Sequence, residues 1–197
     1  MSVANFIGSG LTGLVIEVRN SVAESGTPLD ANTKSFISFS NPTPTELAAA
    51  QHQLWRLFPG PLGAFYIYSQ IGSQLVVEIK DDEDAPGGRL QVGTQKPTTN
   101  QIQLDEAMGQ LWQWAPTVFG SNSQGPSSYF IQSMLNKDLV IDIKGGKDIP
   151  QSVLQVYPMK PTRTEEEYAK ASNQLWTPFP ITVAGPNLPN DIGGIQK

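Results

Sequence analysis

The 197-residue sequence contains no cysteine and only one histidine, His52. Their scarcity excludes a disulfide framework, a thiolate or multi-histidine metal site, and a Cys/His nucleophile pair. We therefore expect no metal and no cofactor. No apolar run reaches the roughly 18 residues of a membrane-spanning helix, so we expect no insertion into a membrane.

Signals for secretion and catalysis are also missing. The first residues show no basic segment followed by a long apolar one, which is the pattern of a secretory signal. Together with the lack of cysteine, this favours a cytoplasmic protein, with release or delivery by a non-classical route as the alternative. The sequence has no Gly-x-Ser-x-Gly nucleophile motif and no phosphate-binding glycine-rich motif. We expect no enzymatic activity.

Charged residues are few, at 16% of the chain, and they sum to a net charge of -5 with a pI near 4.8. Nucleic-acid binding needs a basic surface, so we expect no nucleic-acid partner. Glycine and proline, in contrast, are abundant at 18 and 16 residues. This composition is typical of many short strands joined by turns.

The tripeptide Gln-Leu-Trp occurs three times. Its tryptophans, separated by steps of 57 and 64 residues, are Trp55, Trp112 and Trp176. About 34 to 38 residues before each tryptophan stands an acid in a short apolar segment. These segments, each predicted to be a strand, are Leu14–Val18, Leu75–Ile79 and Leu139–Ile143. Two landmarks repeated at one period indicate three copies of a single structural unit.

Three units of about four short strands each predict an all-β fold of about twelve strands with pseudo-threefold symmetry, a β-trefoil. A propeller needs at least four blades, and a solenoid is built from shorter units in larger number. The units, called lobes one, two and three, cover about residues 6–59, 64–116 and 128–180. We expect residues 1–182 to form one domain and residues 183–197 to be a tail.

A short helical segment is predicted before each Gln-Leu-Trp. Residues 43–46 and 162–165 both fit the capping-box pattern, in which a threonine precedes a glutamate by three positions. Good helix formers follow in both cases. These helices are too short to be stable alone, so we expect one or two turns lying over the barrel.

The three Gln-x-Trp motifs, each with an upstream apolar strand ending near an acid, resemble the ricin B-type lectin family. The resemblance covers residues 6–180, and the lack of cysteine makes the chain similar to cytosolic fungal or bacterial members. It implies a sugar site in each complete lobe. In that site an acid accepts hydrogen bonds from two sugar hydroxyls, a polar residue follows 13 positions later, an aromatic ring stacks on the sugar, and an asparagine precedes the Gln-x-Trp.

Lobe three contains every element that the resemblance requires: Asp142, Gln155, Tyr157, Asn173 and Gln174. An ionised carboxylate accepts two hydroxyl donors, and charge-assisted hydrogen bonds of this kind are stronger than neutral ones. The flat apolar ring adds contact area against the C–H face of the sugar. We therefore predict that lobe three is the main site.

The other two lobes are less complete. Lobe two keeps Glu78 and Gln91 but has Gly93 in place of the ring and Gly109 in place of the asparagine, so we expect no binding there. Lobe one gives a weaker second site, for which the candidate residues are Glu17, Phe39, His52 and Gln53.

The tryptophans and glutamines of the repeat have a structural interpretation as well. Tryptophan is usually buried, and a buried amide must be hydrogen-bonded, so we expect both to hold the lobes together. The resemblance implies a lectin for galactose or N-acetylgalactosamine. The alternative is a trefoil that binds proteins, such as a protease inhibitor or a non-catalytic toxin-complex subunit, because fold does not fix function. Expected partners are glycans, with a homodimer or a toxin complex as further alternatives.

Overall fold

The computed structural model describes residues 3–11, 13–38, 41–119 and 128–182, and these contain twelve strands. Phe39 and the predicted tail, residues 183–197, lie outside the described residues. The strands are β1 Val3–Ser9, β2 Leu14–Val18, β3 Leu29–Thr33, β4 Trp55–Pro59, β5 Phe65–Ser69, β6 Leu75–Ile79, β7 Leu90–Thr94, β8 Trp112–Pro116, β9 Tyr129–Ser133, β10 Leu139–Ile143, β11 Ser152–Pro158 and β12 Trp176–Thr182.

Six of these strands close into a barrel. Each is antiparallel to its neighbours, in the cyclic order β1, β12, β9, β8, β5, β4. The other six form three hairpins, β2–β3, β6–β7 and β10–β11, with one hairpin for each lobe. Bridges from Pro28 to Gln91 and from Arg89 to Gln155 join neighbouring hairpins. A six-stranded barrel carrying three hairpins is a β-trefoil, as the repeat predicted.

A short helix precedes each Gln-Leu-Trp: α1 Pro44–Ala50, α2 Gln101–Ala107 and α3 Glu165–Lys170. The predicted capping box before α1 is confirmed, since Thr43 and Glu46 bond reciprocally. The predicted box at residues 162–165 is wrong. Thr164 caps α3 instead, accepting from the backbone N of Glu167, while Thr162 is buried and accepts from the backbone N of Val118.

The tryptophans of the repeat occupy the barrel core and are fully buried. Their indole Nε1 atoms donate to three backbone carbonyls at 3.0–3.1 Å, those of Ile16, Val77 and Ile141. Each of these carbonyls belongs to the residue immediately before the repeated acid. The tryptophan therefore ties its barrel strand to the acid-bearing strand of the same lobe, which explains why the two landmarks recur together.

None of the helices in the described parts of the chain is long and apolar enough to cross a membrane.

Candidate functional site

Strand register defines equivalent positions in the three lobes. Asp142 on β10 lies opposite Gln155 on β11, and Glu78 on β6 lies opposite Gln91 on β7. In lobe one, Glu17 on β2 lies opposite Asp30 on β3. The 13-residue spacing from acid to polar residue in lobes two and three is thus a cross-strand pair of one hairpin.

The lobe-three acid lies at the centre of an amide network. Gln155 Nε2 donates to Asp142 Oδ1 at 2.8 Å. Asn173 Nδ2 and Gln174 Nε2 donate to Asp142 Oδ2 at 2.5 and 3.1 Å. All four side chains are buried, and Asp142 is 2% exposed. The structure therefore brings four of the five predicted lobe-three residues into one hydrogen-bonded cluster.

Burial raises the pKa of Asp142 above its usual range, because loss of water penalises the charged form. The three amide donors and the nearby positive charge of Lys160 oppose this shift. Within the cluster the amides take the place of solvent around the carboxylate. The carboxylate is held in a fixed orientation by groups that favour its ionised form.

Tyr157, the fifth predicted residue, lies on β11 two positions beyond Gln155. Side chains two apart in a strand point to the same face, so the phenol ring stands on the side of the sheet that bears Gln155. The residue is 44% exposed, in contrast to the buried cluster beside it. This hairpin therefore carries an exposed ring close to a buried carboxylate whose hydrogen-bond donors are amides.

The repeat glutamines link each acid to the chain in the same way in all three lobes. In lobe three, Gln174 Nε2 donates to the carbonyl of Pro158 as well as to Asp142, and its Oε1 accepts from the backbone N of Lys160. Gln110 and Gln53 make the equivalent three contacts in lobes two and one. Their structural role, expected from the sequence, is confirmed.

Lobe two has its acid in a different arrangement. Glu78 accepts from Gln91 at 2.7 Å and from Gln110 at 2.8 Å. Gly93 occupies the position of Tyr157, and a Cβ atom there would lie 2.1 Å from the Glu78 carboxylate. The Glu78 side chain, which is longer than that of Asp142, therefore occupies the space that the Cβ atom of a larger residue at position 93 would need. Lobe two has no aromatic ring at this position beside its carboxylate.

Lobe one also departs from lobe three. Glu17 accepts from Gln53 at 2.6 Å and from Asn32 at 2.9 Å, and His52 Nε2 lies 3.5 Å from its carboxylate. Three of the four predicted residues therefore meet. The fourth, Phe39, lies outside the described residues.

Strand register identifies further residues of lobe one that the sequence did not indicate. Asn32 holds the position of Tyr157, and Asp30 holds that of Gln155. Asp30 forms a bidentate ion pair with Arg19, at 2.6 Å for both contacts. A cleft of about 280 Å³ is bounded by Glu17, Arg19, Asn20, Asp30 and Gln151. The acid-to-partner spacing of 13, read from Glu17, would have indicated position 30.

Among the described residues no group of three or more histidine, aspartate or glutamate side chains is placed to hold a metal ion. The residues around the repeated acids supply carboxylates and amides and, in lobe three, the ring of Tyr157. These groups bind polar ligands through hydrogen bonds and flat apolar contacts.

No protein-family model and no curated protein sequence matches this chain. Comparison of structures, in contrast, finds β-trefoil proteins. A designed threefold-symmetric protein, ThreeFoil, superposes with a TM-score of 0.63 at 13% identity, covering 89% of this chain and 97% of that one. The ricin B-like lectin of Macrolepiota procera in complex with lactose gives 0.56 at 15% identity, covering 89% and 93%.

An exo-beta-1,3-galactanase from Clostridium thermocellum contains a similar region. Its TM-score is 0.66 at 17% identity, over 91% of this chain, and the match spans 30% of the galactanase. Identities this low show a shared fold. The structural neighbours therefore establish that the chain is a β-trefoil similar in structure to ricin B-like lectins.

Proposed function

We propose that this protein is a carbohydrate-binding lectin whose main site is in lobe three and whose ligands carry terminal galactose or N-acetylgalactosamine. The observation that carries the proposal is the pairing of the fixed Asp142 carboxylate with the exposed ring of Tyr157 on one face of the β10–β11 hairpin. A pyranose has the complementary surfaces, namely adjacent hydroxyl donors on one edge and a C–H face beside them.

The hydrogen-bonding capacity of Asp142 leaves room for a sugar hydroxyl. A carboxylate has about four lone-pair positions, and the protein amides use three of them. Oδ1 accepts from Gln155 alone, so this oxygen takes the additional donor. Because the amides prevent rotation of the carboxylate, little conformational entropy is lost when the hydroxyl binds.

The comparisons support a sugar ligand for this fold. The Macrolepiota procera lectin was solved with lactose, and an earthworm R-type lectin half, with a TM-score of 0.56 at 13% identity, was solved with GalNAc. Both ligands have a galactose-type ring, which is the basis for proposing that class here. We propose lectin activity without catalysis, since neither a nucleophile motif nor a metal site emerged from the residues described.

The three lobes are proposed to differ in their affinity for sugar. Lobe three has both carboxylate and ring, and lobe one has its carboxylate and cleft with Asn32 at the ring position. Lobe two has Gly93 there and is proposed to be silent. Single shallow sites bind sugars weakly, so multivalent presentation on a glycan surface would raise the apparent affinity.

A glycan array probed with the labelled full-length protein tests the proposal. We expect retention on glycans ending in galactose or N-acetylgalactosamine, and competition by free lactose. Titration calorimetry with lactose then measures the affinity of the site. The Glu78→Gln variant is the matched control, because it alters the equivalent acid of the silent lobe and should keep the wild-type affinity. Absence of any retained glycan for the wild type would refute the lectin proposal and favour a protein partner.

A further inference from the structure

Lys160 contacts the lobe-three cluster through both its backbone and its side chain. Its backbone N donates to Gln174 Oε1 at 2.9 Å. Its Nζ donates to Asn173 Oδ1 at 2.5 Å and to the carbonyl of Lys170, in α3, at 2.8 Å. Lys160, which follows β11, therefore connects α3 and two of the amides around Asp142.

The ammonium group gives the Asn173 side chain a defined orientation. Asn173 Nδ2 faces Asp142 Oδ2 at 2.5 Å and the carbonyl of Ile143 at 3.2 Å, while its Oδ1 faces Lys160. Rotation of the amide by half a turn would place its oxygen against the carboxylate and its NH₂ against the ammonium. Both contacts would be repulsive, so the opposite charges on the two sides select one orientation.

Lobe two provides an internal comparison. Lys96 holds the equivalent position, with its backbone N bonded to Gln110 Oε1 and its Nζ bonded to the carbonyl of Glu106. Its ammonium, however, pairs with Asp82 Oδ2 at 2.8 Å, because Gly109 offers no amide. The lysine is placed alike in both lobes, but only in lobe three does its ammonium contact a side chain that donates to the repeated acid.

Lobe one has no cation at this position. Ser35 is the residue whose backbone N bonds to the repeat glutamine, Gln53, and His52 replaces the asparagine. The combination of lysine and asparagine is therefore specific to lobe three, the lobe that contains Tyr157.

We propose that Lys160 is a positioning residue of the lobe-three site: its ammonium fixes the Asn173 amide toward Asp142, and its positive charge favours the ionised form of that carboxylate. The structural part of this inference stands on the contacts alone, and its effect on sugar affinity rests on the function proposed above. The groups that face Asp142 are the neutral amides of Gln155, Asn173 and Gln174, so Lys160 is the charge that acts on it in the described structure.

The test uses three variants of the full chain, Lys160→Met, Lys160→Gln and the matched control Lys96→Met. NMR titration of the Asp142 carboxyl carbon in the sugar-free protein is the first measurement. We expect Lys160→Met to raise the titration midpoint by about half a pH unit or more, because a nearby cation is lost. The Asn173 side-chain NH₂ signals should also shift or broaden. Lys96→Met should leave both unchanged.

If Lys160→Met does not fold, Lys160→Gln, which keeps a hydrogen-bond donor without the charge, is titrated in its place. A folded variant with the wild-type Asp142 midpoint and unchanged Asn173 signals overturns the proposal, as does an equal change in Lys96→Met.

Lactose affinity is the second measurement, with a loss of about tenfold expected for Lys160→Met, the equivalent of one charged hydrogen bond. If the wild type binds no glycan, the lectin function fails and the titration still decides the role of Lys160.

Discussion

A Cβ atom on Gly109 would lie 2.1 Å from Oδ1 of Asp82. Gly109 holds in lobe two the position of Asn173 in lobe three, and Asp82 holds that of Gly146. The Asp82 carboxylate thus fills space that the Asn173 amide fills in the other lobe, and it takes over the lysine contact. Lobe two has Gly109 at the first position and Asp82 at the second, whereas lobe three has Asn173 at the first and Gly146 at the second. Each lobe therefore has one polar side chain in this space.

This exchange predicts that the two lobe-two positions are coupled. Gly109→Asn should lower the free energy of unfolding by about 1–3 kcal/mol, because the added side chain overpacks against Asp82. Gly109→Asn combined with Asp82→Gly should recover most of that loss. Asp82 has a φ of 50°, a conformation that glycine adopts without strain. Urea unfolding of both single variants and the double variant measures the coupling. Additive effects would show that the positions are independent.

Tyr157→Ala tests the ring of lobe three without disturbing the core. The residue is 44% exposed and lies outside the core, so we expect the unfolding free energy to change by less than about 0.5 kcal/mol. Lactose affinity should fall at least about tenfold, since the stacking surface is lost. Ile102→Ala, which removes an exposed apolar side chain from α2, is the control and should bind normally. Normal affinity of Tyr157→Ala would place the sugar elsewhere.

The fold was predictable from the sequence because its determinants recur. Each buried tryptophan bonds to the carbonyl before a repeated acid, so both residues recur together in every lobe. The Asp142 and Gln155 pair was predictable for a similar reason, since 13 residues bring two positions of one hairpin into register.

The details of lobe one were missed although the spacing contained them. The segment between Glu17 and Gln53 is longer than its counterparts in the other lobes, but the extra residues follow β3, so Asp30 and Asn32 keep the same spacing from the acid as Gln155 and Tyr157. The Arg19–Asp30 pair depends on the same register. The cap of α3 was misplaced because two threonines, Thr162 and Thr164, each precede a glutamate by three positions. Thr164 caps the helix, whereas Thr162 is buried and accepts from the backbone N of Val118.

The raised pKa of Asp142 predicts opposite pH effects on binding and on stability. A protonated carboxyl loses acceptor capacity, so lactose affinity should fall as the pH drops through this pKa, at a higher pH than an ordinary aspartate would give. The folded state holds the proton more tightly than the unfolded state. Asp142 therefore destabilises the fold increasingly as the pH rises from the unfolded pKa, near 4, through the folded one.

Titration calorimetry and urea unfolding across the acidic range measure the two effects. Asp142→Asn is the control for stability, since it removes the titrating group and should flatten this part of the pH dependence. Its buried amide will also compete with the three amide donors, so we expect it to be less stable than the wild type at all pH values. A wild-type affinity that stays constant down to pH values near 4 would contradict a role for ionised Asp142.

Comparison of Gln110→Ala with Gln174→Ala separates the structural from the binding role of the repeat. Each substitution leaves a carboxylate, a carbonyl and a backbone N without their buried amide partner, so each should lower the unfolding free energy by about 2–3 kcal/mol. Lactose affinity should differ. Gln110→Ala changes lobe two, in which Gly93 holds the ring position, and it should bind as the wild type does at temperatures where it is folded.

Gln174→Ala should lose about tenfold or more in affinity, because Oδ2 of Asp142 then keeps a single fixed donor, Asn173, and the carboxylate gains freedom to rotate. If both variants lose the same unfolding free energy but only Gln174→Ala loses lactose affinity, sugar binding is located in lobe three and the repeat glutamines have a structural role in both lobes. Equal affinity losses would instead mean that binding depends on global stability or on both lobes, and the ranking of the sites would be wrong.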